Sequence, residues 1–151
     1  PVNCEDKGIY DYLETLPANT LVAGHPDDMN CIALFGQKRP FVMSTLNDPF
    51  YKDYFKIMRQ RDFDFFSAYY SGDKKQVRDF CKKNGITHIV INKEHFTKEY
   101  LNQAYYYSEG YAPHGIQNHI KSLTKDKAEY YLIKTEDILY KSGNKHIVDC
   151  K

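Results

Sequence analysis

The segment Thr87–Asn92 constrains the fold most, because its apolar residues Ile89–Ile91 are consecutive and do not alternate with polar ones. A run of this kind is typical of a parallel strand that helices cover on both faces. Thr20–Gly24 predicts another short strand, and Phe41–Thr45, directly after Arg39-Pro40, predicts a third. The chain is therefore expected to build an α/β sheet.

Amphipathic segments lie between these strands, and their apolar residues recur every three or four positions, as on one face of a helix. The longest of them, Tyr51–Tyr70, predicts a helix of about 30 Å at about 1.5 Å per residue. The predicted helices are Gly8–Leu16, about Asp28–Gly36, Tyr51–Tyr70, Lys74–Asn84, Thr97–Ala104 and Ile116–Leu123. Between the last two, the Tyr- and Gly-rich segment Tyr105–Gly115 predicts a loop.

The C-terminal part of the chain predicts a β-hairpin. Asp137–Lys141 and Lys145–Cys150 are the two strands, and Ser142-Gly143-Asn144 supplies turn residues between them. The order of strands and helices predicts an α/β, three-layer (Rossmann-like) sandwich, with a mainly parallel sheet and this hairpin at one edge. The sequence shows no repeat and no linker, so residues 1–151 are predicted to form a single domain.

Composition argues against two classes of function. The chain has 21 basic and 20 acidic residues, a net charge of +1, and its Lys and Arg are interleaved with Asp and Glu. This pattern lacks the basic stripe of nucleic-acid-binding proteins, so no nucleic-acid partner is expected. Apolar runs are about five residues long, far short of the roughly 20 that span a bilayer. Because it begins at Pro1, we expect the chain to be part of a longer protein.

The four cysteines form no Cys-x-x-Cys pair, which argues against a zinc knuckle or a redox motif. Cys31 and Cys81 lie in apolar patterns and are expected to be buried as small apolar side chains. Cys4 and Cys150 lie near the two chain ends, which are often close together in compact domains. A Cys4–Cys150 disulfide is therefore the pairing that the sequence suggests.

His25-Pro26-Asp27-Asp28 follows the first predicted strand and resembles the first motif of the LmbE-like, zinc-dependent deacetylases that act on N-acetylglucosamine conjugates. The resemblance implies that His25 and Asp28 bind zinc and that Asp27 is the general base. A metal-bound water beside a carboxylate hydrolyses amides. However, the resemblance covers only about eight residues. Met29 stands where that family has an acidic residue, and its later histidine motif is missing here.

The alternative is that the same four residues only begin a helix. Proline is favoured at the first helical position, and carboxylates in the first turn cap free N–H groups and suit the helix dipole. The sequence favours this interpretation over the zinc site. It accordingly predicts no catalytic residue, no metal and no cofactor, and keeps His25, Asp27 and Asp28 as candidate binding residues.

Three arginines complete the candidate binding residues. Arg61 lies at the edge of the apolar stripe of the long helix and is expected to pair with a loop carboxylate such as Asp48. Arg39, Arg59 and Arg61 together form the alternative, an anion site. A structural role is the favoured one, because exposed arginine pairs are common and weak.

A wider set of segments resembles the soluble C-terminal domain that follows the last transmembrane helix in polytopic bacterial, notably cyanobacterial, membrane proteins. Those proteins are similar to glycosyltransferases of the GT-C type, which use lipid-linked sugar donors. The resemblance runs over about Ile9–Phe96 and weakly to the hairpin. It rests on Leu16-Pro17, Thr20–Gly24, Arg39, Asp48-Pro49-Phe50, Arg59, Arg61, Phe66–Ser71, Phe80 and Gly85–Ile91.

The resemblance implies a non-catalytic accessory domain that faces the extracytoplasmic side and whose partner is the transmembrane part of its own full-length chain. A glycan or lipid-linked sugar acceptor is a further expected partner. In such relatives the loop at His25–Asp28 varies, which favours a turn there. Two alternatives remain open: a zinc-dependent hydrolase that uses the His-Pro-Asp-Asp turn, and a small-ligand-binding regulatory module.

Overall fold

The computed structural model describes residues 4–44, 52–103 and 115–151. These residues include a five-stranded sheet of strand order β2-β1-β3-β5-β4. The strands are β1 (Leu21–Gly24), β2 (Arg39–Pro40), β3 (His88–Asn92), β4 (Ile138–Ser142) and β5 (Lys145–Asp149). β1 is parallel to both β2 and β3, whereas β5 is antiparallel to β3 and β4. The predicted α/β class and the C-terminal hairpin are confirmed.

The helices lie close to their predicted positions. They are α1 (Lys7–Glu14), α2 (Pro26–Phe35), α3 (Lys52–Tyr69), α4 (Lys74–Asn84), α5 (Lys98–Leu101), α6 (Ile116–Thr124) and α7 (Tyr131–Lys134). α4 illustrates why the ends could be predicted. Asp73 accepts a hydrogen bond from the Lys75 amide at 2.9 Å, and Gly85 ends the helix with a φ of 69°. That left-handed conformation favours glycine.

Neighbouring residues of the central strands belong to two different apolar clusters. Val22 and Val90 pack with α1 and α2, whereas Ala23 and Ile89 pack with α3, α4 and α6. This alternation follows from the period of two in a strand, which sends successive side chains to opposite faces. Helices therefore contact the strands from both sides. No helix in the described ranges combines the length and apolar character needed to cross a bilayer.

The second strand is displaced from its predicted position at Phe41–Thr45. β2 is Arg39–Pro40, and Phe41 and Val42 follow it with 2% and 0% exposure. Their apolar side chains suggested a strand, but they enter the core after the short parallel pairing has ended. Thr45 lies outside the described residues.

Two further differences concern short helices. The predicted Thr97–Ala104 helix is the single turn α5, which a 3₁₀ turn at Lys93–Phe96 precedes. α7 was not predicted, because one turn is too short for helical periodicity to show. Ala104 and residues 105–114 of the predicted loop lie outside the described residues.

The predicted Cys4–Cys150 disulfide is wrong. The structure pairs Cys4 with Cys31 and Cys81 with Cys150, at Cα–Cα separations of 5.5 and 6.1 Å. Cys4 packs with the α1/α2 cluster, whereas Cys150 belongs to the cluster on the other face of the sheet. The sheet therefore separates Cys4 from Cys150. Cys31 and Cys81 are buried as expected, but as half-cystines.

Candidate functional site

Titratable side chains meet where β1 and β3 end. β1 ends at Gly24 and His25 follows, while β3 ends at Asn92 and leads into the 3₁₀ turn that carries His95. Lys145 begins β5 directly opposite Asn92. The carboxyl ends of parallel strands are where α/β proteins usually bind ligands. We call His25, Asp28, His95 and Lys145 the histidine cluster.

β1 packs closely against its neighbours at Gly24, the residue before His25. A Cβ atom at this position would lie 2.9 Å from the sulfur of Met29 and 3.2 Å from the carbonyl oxygen of Val90. Only glycine allows β3 and α2 to approach β1 this closely. The turn that follows places His25 in the interior, with 1% of its surface exposed.

His25 caps α2. Its Nδ1 accepts a hydrogen bond from the Asp27 amide at 3.3 Å, and its Nε2 lies 2.9 Å from the hydroxyl of Tyr100. Because Nδ1 accepts, the proton of the neutral ring is assigned to Nε2, which then donates to Tyr100. The proposed helix start at His25-Pro26-Asp27-Asp28 is thus formed, with Pro26 as the first helical residue.

His95 lies against His25, with ring centroids 4.2 Å apart. The Tyr69 hydroxyl accepts from the Asn92 amide at 3.1 Å and is 3.1 Å from Nδ1 of His95. We assign the hydroxyl hydrogen to the bond with Nδ1, which places the proton of the neutral His95 ring on Nε2. Burial lowers the pKa of His95 well below its usual range, and His25 and Lys145 lower it further.

Asp28 is the acidic side chain of the cluster, and Lys145 is its basic side chain. The Asp28 carboxylate is 3.9 Å from Nε2 of His95 and 4.0 Å from Nζ of Lys145. Burial raises the pKa of Asp28, and the opposing effects of His25 and Lys145 are smaller. Burial alone would lower the pKa of Lys145, but Asp28 and its ion-pair partner Asp6 outweigh burial and leave that pKa raised.

The cluster is therefore a network of two buried histidine rings and two partly buried charged side chains. It joins the start of α2, the turn after β3, the middle of the sheet and α3. Such networks rigidify the part of the fold that contains them. In residues 4–44, 52–103 and 115–151, no three His, Cys, Asp or Glu side chains are grouped so that they could hold a metal ion. The hydrogen bond from the Asp27 amide to His25 is that of a helix cap.

The structure brings together only part of the predicted candidate set. His25 and Asp28 lie in the histidine cluster, and Asp27 is half-buried in the first turn of α2. The three arginines are not members of this cluster. Arg39 is exposed on the edge strand, whereas the other two guanidinium groups lie over aromatic rings, Arg59 over Phe63 and Arg61 over Phe41.

Arg61 contacts the segment that follows β2. Its Nη1 is 3.4 Å from the carbonyl oxygen of Phe41, and its guanidinium carbon is 5.2 Å from the centre of the Phe41 ring. These contacts hold the segment after β2 against α3. The suggested partner Asp48 lies outside the described residues.

The sequence did not identify His95, Lys145, Tyr69 and Tyr100 as members of this network. None lies within 40 positions of His25 in the chain, so motif spacing carries no sign of them. One signal was available for His95, which comes three residues after the end of a buried parallel strand. Side chains at that position meet those that follow the neighbouring strand.

Comparison with known proteins identifies a structural neighbour. No protein-family model matches the chain, and no curated sequence matches it significantly. Among solved structures, the chain is similar to the C-terminal globular domain of the oligosaccharyltransferase AglB-S2 from Archaeoglobus fulgidus, with a TM-score of 0.58. The two share a fold. The similarity covers 96% of this chain and 95% of that domain, at 16% sequence identity.

Proposed function

We propose that this chain is a non-catalytic accessory domain of a multi-spanning membrane protein of the glycosyltransferase-like, GT-C type. The observation that carries the proposal is the end-to-end structural similarity to the C-terminal globular domain of an oligosaccharyltransferase. The coverage of both chains is nearly complete, so the similarity concerns a whole domain and not a shared supersecondary motif. The three-layer, Rossmann-like description of the fold belongs to this proposal and is supported by the two apolar clusters.

An extracytoplasmic position is part of the proposal. The two disulfides use all four cysteines of the chain. Disulfides form and persist mainly in oxidising compartments outside the cytosol. A domain on that side of a membrane would lie where lipid-linked sugars are transferred in enzymes of the GT-C type. Its partners would be the transmembrane part of its own full-length chain and a glycan or lipid-linked acceptor.

The histidine cluster supports an accessory role over catalysis. His95 has 7% of its surface exposed and His25 has 1%, so neither ring is open to a substrate. Both nitrogens of His25 and Nδ1 of His95 are engaged with Asp27, Tyr100 and Tyr69, respectively. A general base needs access to the proton that it removes. The cluster instead stabilises the end of the sheet at which β1 and β3 terminate.

The complete coding sequence that contains this chain tests the parentage. We expect it to encode several apolar stretches of about 18 or more residues. A reporter tag after Lys151, in the full-length protein, should be removed by protease added outside the cytoplasmic membrane, while a cytosolic control protein stays intact. A full-length product without such stretches, or a tag protected from protease, would overturn the proposal.

Zinc content and hydrolase activity of the isolated chain distinguish the accessory role from hydrolysis. The 151-residue chain should contain no stoichiometric zinc and should not deacetylate N-acetylglucosamine conjugates. Zinc that is bound one to one, lost in His25→Ala and retained in the control variant His88→Ala, would instead favour the hydrolase. His88 is the matched control because it is also a buried histidine, with 5% of its surface exposed, and lies outside the cluster.

A further inference from the structure

A groove of about 1040 Å³ lies between α5 and the segment that follows α6, next to the 3₁₀ turn that carries His95. Lysines and aromatic rings line it, and we refer to the lysines as its rim and to the rings as its floor. We call it the lysine groove and define it by Lys98, Lys121, Lys125, Lys127, Phe96 and Tyr130. Its volume is at the upper end of the roughly 300–1,000 Å³ of small-molecule sites, so it has room for several sugar rings.

The rim is strongly positive on a chain that is nearly neutral. Four lysines and one carboxylate, that of Asp126, line the groove and leave it a charge of +3, against +1 for the whole chain. Some lysines elsewhere pair with carboxylates, as Lys7 does with Asp11 and Lys75 with Asp79. Within the described part of the chain, no carboxylate lies within ion-pair distance of Lys98, Lys121 or Lys125.

Lys127 differs from the other rim lysines because its position is fixed. Its ammonium donates to the backbone carbonyl of Tyr70 at 3.1 Å, which ties the segment after α6 to the end of α3. The preceding residue, Asp126, has a φ of 55°, so the chain turns sharply at this point. Lys125 and Lys127 flank this turn and line the groove together with Lys98 of α5.

The aromatic floor is built in advance of any ligand. The ring centroids of Phe96 and Tyr130 are 5.1 Å apart, and both rings contact Tyr70, at 5.2 and 5.8 Å. Tyr70 is completely buried, and its hydroxyl donates to the carbonyl oxygen of His95 at 3.0 Å. The two floor rings are themselves half-buried and thus keep a face toward the groove.

We propose that the lysine groove binds an acidic oligosaccharide, a short glycan that carries carboxylate, sulfate or phosphate groups. The ammonium groups would pair with the anionic substituents, and the apolar faces of sugar rings would pack on Phe96 and Tyr130. A concave site lined by rings suits a chain of sugars better than a bilayer, because proteins bind bilayers by burying an exposed apolar face at the headgroup boundary. This inference rests on the groove alone and holds whether or not the chain belongs to a membrane protein.

Binding to the purified 151-residue chain tests the proposal by titration calorimetry. The probes are tetragalacturonate, a sulfated heparin tetrasaccharide, the neutral chitotetraose, inorganic phosphate, and vesicles of phosphatidylglycerol. We expect the two acidic tetrasaccharides to bind more tightly than chitotetraose and phosphate, with affinity that falls as salt rises.

Two variants locate the binding. Lys121→Gln/Lys125→Gln should lower the affinity for the acidic tetrasaccharides roughly tenfold at low salt, because two charge pairs are lost. The control Lys82→Gln/Lys83→Gln removes the same charge from exposed positions on α4 and should change affinity less than about twofold, since only long-range attraction is lost. Tyr130→Leu should also weaken binding but leave its salt dependence unchanged, because it removes ring stacking and no charge.

Four results would overturn the proposal. They are equal weakening by the two lysine variants, equal affinity for the neutral and the acidic tetrasaccharides, binding of phosphatidylglycerol vesicles without binding of saccharides, and no binding of either acidic probe. None of them bears on the membrane-protein parentage, which the full coding sequence decides. Circular dichroism of each variant checks that a lost affinity is not a lost fold.

Discussion

Removal of the disulfide between Cys81 and Cys150 should destabilise the domain strongly. The two cysteines are 69 positions apart. In the chain-entropy model a cross-link that closes a loop of this length contributes about 4.4 kcal/mol at 25 °C, by restricting the unfolded chain. The Cys4–Cys31 disulfide, with a separation of 27 positions, contributes about 3.5 kcal/mol by the same relation. Domains are stable by only about 5–15 kcal/mol in total.

The folded state adds to the first effect. Cys81 and Cys150 have 0% and 4% of their surface exposed and belong to the larger apolar cluster. Two alanines in their place would leave a small void beside β5 and α4, which costs further stability. We therefore expect Cys81→Ala/Cys150→Ala to lose more stability than the matched control Cys4→Ala/Cys31→Ala.

Urea denaturation followed by far-ultraviolet circular dichroism measures both losses. The chain has no Trp and 14 Tyr, so tyrosine fluorescence provides a second probe of the same transition. A loss below about 1 kcal/mol for Cys81→Ala/Cys150→Ala would refute the reasoning, because it lies well under the usual range for a disulfide. Alkylation of all four cysteines in the unreduced, denatured chain would refute the pairing itself.

Three further predictions concern the end of the sheet at which β1 and β3 terminate. The pKa of His95 is lower in the fold than in the unfolded chain, so stability should be lost as pH falls below about 6.5. His95→Gln should therefore reduce the dependence of the urea midpoint on pH between about pH 7 and 5. An unchanged pH dependence would contradict this. Gly24→Ala should cost about 1–3 kcal/mol by the same denaturation, because the new Cβ meets the sulfur of Met29. Tyr69→Phe should cost about 1–3 kcal/mol, because it removes the hydroxyl that joins the Asn92 amide to His95; a fully stable variant would show that this hydroxyl is replaceable.

Strands and helix ends with a local chemical cause could be predicted from the sequence. β3 follows from consecutive apolar residues, the hairpin from the turn at Ser142-Gly143-Asn144, and the end of α4 from Gly85. β2 was misplaced because Phe41 and Val42 are as apolar as strand residues, although their burial comes after the strand. Apolar character predicts that a residue is buried, but not which element buries it.

The candidate site was predictable only where its residues are neighbours in the chain. His25 and Asp28 share one turn of helix, so their proximity follows from the motif. His95 and Lys145 reach them through the strand order and register of the sheet, which no spacing in the sequence encodes. The disulfides show the same limit, since four cysteines allow three pairings. Proximity of the chain ends favoured the pairing that the sheet prevents.

The two disulfides close loops that do not overlap along the chain, from Cys4 to Cys31 and from Cys81 to Cys150. The two disulfide-closed loops are joined by a connector outside both loops, residues 32–80, which carries β2 and α3. We call the two closed loops the rings. A single protease cut in that connector leaves two pieces held only by contacts such as the pairing of β1 with β3. A cut inside either ring releases nothing until the disulfides are reduced. Without reductant, a denaturing gel therefore shows which of the two kinds of backbone has been cut.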